Sequence, residues 1–149
     1  VWWCLQPILD DEDAIPVHKS SRGEQLQITS GTDEAYKLAK KHNVNLAWGT
    51  DTLFDPKRAK LQGAQLTKLV RWFRPGEVLK MATADNAALL ALSGPRNPYP
   101  GKLGVIEEGA LADILLVDGN PVENLDLIAD PKKNFRVIMK DGIIYKNTL

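Results

Sequence analysis

The sequence holds a single cysteine, Cys4, and only two histidines, His18 and His42. One thiol excludes an internal disulfide and a cysteine-based zinc cluster. The histidines stand far apart, with neither His-x-His nor His-x-x-x-His spacing, so they make no paired metal ligands and read as surface residues. Net charge is missing too. Nineteen basic and nineteen acidic side chains cancel (19 and 19), which leaves no electrostatic footprint for nucleic acid or an anionic membrane. No apolar run approaches the roughly 18 residues that a membrane helix needs. Repeats and low-complexity stretches are absent. The opening Val1-Trp2-Trp3-Cys4-Leu5 lacks the basic region and cleavage site of a signal peptide, so no compartment can be read. It resembles a strand entered from the middle, and the true start of the protein is expected upstream.

What is there is the composition of a soluble globular domain: 149 residues, 44% apolar and 26% charged. Val1 to Ile8 reads as a buried strand, ended by Pro7 and the acidic cluster Asp10 to Asp13. Ser30 to Asn43 has a helical pattern. Ser30 suits the cap and Ala35, Leu38 and Ala39 form an apolar stripe. Lys40, Lys41 and His42 suit the negative end, and Asn43 suits a left-handed stop. Val44 to Trp48, stopped by Gly49, reads as a second buried strand. A helix after Pro56 carries Leu61, Leu66, Leu69, Val70 and Phe73. Pro75 suits a first helical position, and Glu77 to Leu92 reads as one long helix or two abutting ones. This alternation is the βα rhythm of a parallel sheet. After Ser93-Gly94-Pro95 the character changes. Ile114 to Val117 is a strand, and Phe135 to Met139 and Ile143 to Tyr145 form a hairpin around Asp141-Gly142. The division therefore falls near residue 93, with a βα part (1–93) and a β-rich tail (94–149).

The most suggestive local motif is Gly49-Thr50-Asp51-Thr52, directly after the second strand. Side chains at the C-terminal ends of parallel strands face the ligand crevice. A carboxylate there can bind a divalent metal and shuttle a proton, and the flanking threonines offer hydroxyls to orient it. The same four residues also suit a turn or a helix cap. The acidic run Asp10 to Asp13 lacks the alternating ligands and glycine of a calcium loop and reads as a solvated turn. Trp2, Trp3, Trp48 and Trp72 read as packing residues. Gly101-Lys102-Leu103-Gly104 lacks phosphate-loop spacing. Cys4, among apolar neighbours, reads as inert.

Four segments in order resemble the amidohydrolase superfamily, in its imidazolonepropionase-like and Xaa-Pro or arginine dipeptidase-like branch. Val44 to Asp51 is similar to the eighth barrel strand. Pro75 to Thr83 with Asp85-Asn86-Ala87-Ala88 is similar to the helices that follow it. Leu103 to Pro121 is similar to the tail, and Val137 to Tyr145 to the closing hairpin. The resemblance implies an α/β fold: the last βα units of a (β/α)8 TIM barrel, incomplete in this chain, plus a small C-terminal β-sandwich portion. It implies that Asp51 is both the metal ligand and the catalytic carboxylate, taking a proton from a metal-activated water and passing it to the leaving nitrogen. The cofactor would be a divalent metal, with zinc expected in the complete enzyme. One aspartate does not choose between zinc and other divalent ions, and the chain alone is expected to lack a complete site. A barrel of this type needs about 250 residues and a catalytic zinc about three protein ligands.

Two readings follow from different classes. One is part of a metal-dependent hydrolase of amide, peptide or cyclic-amide bonds, with a small-molecule or peptide-like substrate, inactive as the isolated chain. The other is a non-catalytic, self-associating structural module. Either way, exposed strand edges call for a covering partner, either the N-terminal barrel portion or a second copy. Calcium or nucleic-acid binding is disfavoured by spacing and charge. Asp113, with Gly109, Ala112 and Gly119, reads as a turn residue and not an acid.

Overall fold

The computed structural model describes residues 1–7, 22–52 and 56–149, so His18 and the Asp10 to Asp13 run lie outside the described residues. Strand β1 (Trp2–Leu5) leads through helix α1 (Arg22–Lys41) to β2 (Asn45–Trp48), and the two strands pair in parallel. Short helices follow: α2 (Pro56–Ala59), α3 (Gln62–Thr67), α4 (Pro75–Lys80) and α5 (Asn86–Ala91). The tail forms a three-stranded antiparallel sheet in the order β3 (Ile114–Val117), β4 (Phe135–Lys140), β5 (Ile143–Asn147), with helix α6 (Pro131–Asn134) leading into β4. Among the described residues no helix is long and apolar enough to cross a membrane.

Local chemistry explains most of these elements. Asn43 closes α1 at φ 48°, the left-handed stop expected of it. Pro75 begins α4, and the Glu77 carboxylate accepts from the Arg74 N–H at 2.8 Å. Asp141 and Gly142 take φ 49° and 74°, the two positive angles that a tight hairpin turn requires. Asp113 has the expected turn role: its carboxylate accepts from the Asp141 N–H at 2.7 Å and ties the start of β3 to the hairpin tip.

Two expectations are corrected. First, α1 begins at Arg22, not at Ser30, and Ser30 lies inside it with its hydroxyl donating to Gln27 O at 3.0 Å. The buried face is Gln25, Thr32, Tyr36 and Ala39, while Leu38 is exposed. Two polar residues on that face, and Gly31 in the middle, hide the helical period from an apolar count. Second, the helix after Pro56 is three pieces, namely α2, α3 and a tight turn over Lys68–Arg71. Leu66 and Leu69 are buried in it, whereas Leu61 and Val70 are exposed. The stretch from Glu77 onward is two abutting helices, separated by a widened i to i+5 turn at Met81–Asp85.

The core is built from Tyr36, Leu66, Leu69, Val78, Met81 and Leu125. Each such side chain contributes about 1.5–3 kcal/mol of burial. Leu125 comes from the tail, so the segment after residue 93 closes the same core that α1, α3 and α4 build. Trp72 packs as expected, stacked on Tyr36 with ring centroids 4.4 Å apart.

Candidate functional site

Side chains alternate across a strand, so register decides which residues share a face. Cys4 pairs with Ala47, and Leu5 with Trp48. Leu5, Leu46 and Trp48 pack on the helical core, which puts Cys4 and Ala47 on the opposite face. Gly49 continues that face, and a Cβ there would come within 2.8 Å of Cys4 Sγ. Cys4 is exposed and close to the turn that follows β2, between Trp3 and Leu5 and opposite Ala47, so its neighbours are apolar as expected. Partial desolvation of the thiol and, secondly, the Asp51 charge push its pKa up.

Asp51 stands just beyond the C-terminal end of β2, exposed, at φ 50°. A non-glycine residue there is uncommon, though aspartate is among the residues that tolerate it. Its neighbours explain how the turn is held. Thr50 Oγ1 donates to Gln62 Oε1 at 3.1 Å, and Gln62 Nε2 donates to Thr52 Oγ1 at 3.0 Å. The two hydroxyls are 2.9 Å apart. Each carries one hydrogen, and that of Thr50 is already given to Gln62, so Thr52 must donate to Thr50. The result is a closed ring of three hydrogen bonds. Among the described residues, the threonine hydroxyls are therefore spent on one another and on Gln62 and do not orient the Asp51 carboxylate.

Two further contacts fix the strand ends beneath this turn. The Tyr36 hydroxyl donates to Leu5 O at 3.0 Å, and burial pushes its pKa far up, so it remains a neutral donor. The Asn86 carboxamide bonds twice to the backbone of Trp48, accepting from N at 2.8 Å and donating to O at 3.0 Å. Neither role was visible in the sequence, because both partners lie far from the donor along the chain.

A metal fits this arrangement only in part. Asp51 presents one free carboxylate, but among the described residues no group of three or more His, Cys, Asp or Glu side chains could hold an ion. His42 is exposed just past the end of α1.

The sequence profile of the amidohydrolase family matches residues 7–146. An ochratoxinase from Aspergillus niger is 36% identical over 114 residues, covering 76% of this chain and 22% of the relative. A crystal structure of an amidohydrolase superposes with a TM-score of 0.80 at 26% identity, covering 99% of this chain and 35% of the other. The crystal structure of the A. niger ochratoxinase gives 0.70 at 26% identity, covering 89% and 28%. A prolidase complexed with N-methylphosphonate-L-proline shares the fold, with a TM-score of 0.75 at 23% identity over 96% and 34%. The chain thus spans 22% of its curated relative and about a third of the solved chains.

Proposed function

The chain belongs to the amidohydrolase family, and from that premise we propose that it is the C-terminal part of a metal-dependent hydrolase of amide, peptide or cyclic-amide bonds. In this reading β1, α1, β2 and the helices to about residue 93 are the last βα units of a (β/α)8 barrel. Strands β3 to β5 belong to a small β-sandwich. The likeness to a solved amidohydrolase over 99% of the chain supports both assignments.

The observation that carries the reading is the place of Asp51: an exposed carboxylate immediately past the C-terminal end of a parallel strand, where such folds react. Asp51 takes a proton from the water that attacks the scissile carbonyl and hands it to the departing nitrogen. The ring of Thr50, Thr52 and Gln62 holds the turn while this happens. A divalent metal, zinc in the first instance, would lower the pKa of that water and polarise the carbonyl. The described residues offer it one ligand, Asp51, and do not complete its site.

The test compares the full-length protein with its Asp51→Asn variant on N-acyl amino acids, peptides and cyclic amides. Removing the acid–base group should lower kcat about 100-fold or more. Undiminished hydrolysis by Asp51→Asn would end the reading. Elemental mass spectrometry on the same pair reports whether Asp51 also holds metal.

The second reading, a self-associating module, has one observation in its favour. Leu115, Ile143, Ile144 and Tyr145 on β3 and β5 are each more than half exposed, at 51, 59, 52 and 68%. Sedimentation velocity showing a stable oligomer, together with no hydrolysis of any of these substrates, would favour it.

A further inference from the structure

Asn86 begins α5 directly after the widened turn at Met81–Asp85. An i to i+5 turn inserts a residue into a helix and rotates everything beyond it, and such insertions are frequent near functional sites. Directly beyond the turn a carboxamide lies against β2. Its oxygen accepts from Trp48 N at 2.8 Å, and its nitrogen donates to Trp48 O at 3.0 Å. These are the two bonds that a residue of a neighbouring strand would make. Trp48 is the last residue of β2, and only Gly49 and Thr50 separate it from Asp51. Between those points the backbone is held on one side by Asn86 and on the other by the Gln62 ring.

We propose that Asn86 is a positioning residue for the reaction: its carboxamide fixes the end of β2 and thereby the place of the Asp51 carboxylate. The inference rests on reading Asp51 as the reacting group. Both bonds of the Asn86 carboxamide go to the Trp48 backbone. Asn86 acts through that backbone, in a site where a misplacement of about 1 Å can cost about 100-fold in rate.

Hydrogen exchange and kinetics on Asn86→Ala and Asn86→Asp together test this. Alanine removes both bonds, while aspartate keeps the acceptor for Trp48 N and loses the donor to Trp48 O. In Asn86→Ala the Trp48 amide should exchange about 10-fold faster or more, with the Leu46 amide unchanged. The full-length variant should lose about 100-fold in kcat with KM little altered, and Asn86→Asp should fall between it and wild type. An unchanged Trp48 amide in Asn86→Ala would overturn the proposal. So would a rate that falls only with the folded fraction. The two hypotheses fail differently. Asp51→Asn at full rate sinks the function itself, whereas an inactive Asp51→Asn beside a fully active Asn86→Ala sinks only the role of Asn86.

Discussion

Gly63→Ala should destabilise the chain even though alanine is the better helix former. Gly63 lies in the first turn of α3, and a Cβ there would overlap the carbonyl oxygen of Ile128. It would also stand 3.1 Å from that carbonyl carbon and 3.5 Å from Ala129 Cα. All three atoms are backbone, so no flexible side chain can swing aside. Relief requires α3 to part from the tail segment, which carries the buried Leu125 and the partly buried Ile128. Overpacking of this kind costs about 1–3 kcal/mol, and a backbone obstacle argues for the upper end. Alanine's helical advantage returns about 0.8–1 kcal/mol, so the net loss is about 2 kcal/mol. Gly31 is the control. It sits in the middle of α1, is exposed, and a Cβ there meets nothing within 4 Å. Gly31→Ala should therefore gain about 0.8–1 kcal/mol. Urea unfolding of both variants measures the difference, expected at about 3 kcal/mol. If Gly63→Ala matches or exceeds wild type, the tail does not pack on α3 and the shared core is refuted.

Asp33 accepts two bonds from Arg71, at 2.9 and 2.7 Å, and one from Trp72 Nε1 at 2.7 Å. These bonds, Arg71 first and Trp72 second, lower its pKa from 3.8. A lowered folded pKa gives stability that is present above 3.8 and lost as pH falls through the lower value. Asp33→Asn should therefore melt below wild type at neutral pH, and the gap should close as thermal scans move to acid; a gap independent of pH would contradict this. Gly49→Ala would press a Cβ to 2.8 Å from Cys4 Sγ, so it should be destabilising alone and largely rescued by Cys4→Ala. Additive unfolding free energies in that double-mutant cycle would mean that the two residues do not share a face.

What the sequence revealed and what it hid divide along one physical line. The tail hairpin was legible because Asp141-Gly142 and the strands beside it signal within a few residues. The second strand was legible for the same reason, as a short apolar run ended by Gly49. The first half of α1 was not, because Gln25 and Thr32 occupy its buried face and only tertiary contact makes that face a core. The widened turn at Met81–Asp85 has no local signal either. Within the site, the place of Asp51 after β2 could be read, but its surroundings could not. Thr50 and Thr52 find Gln62 on another element, and Asn86 finds Trp48 across the layer. The place of Cys4 shows why. Whether it faces the helices or the site depends on register with β2, and a slip of one residue exchanges it with Leu5. The register that buries Leu5 and Trp48 against the helical core is the register that brings Cys4 to Gly49. The neighbourhood of Asp51 is therefore set by packing on the far side of the sheet, and a core substitution there should be felt at the site without touching it.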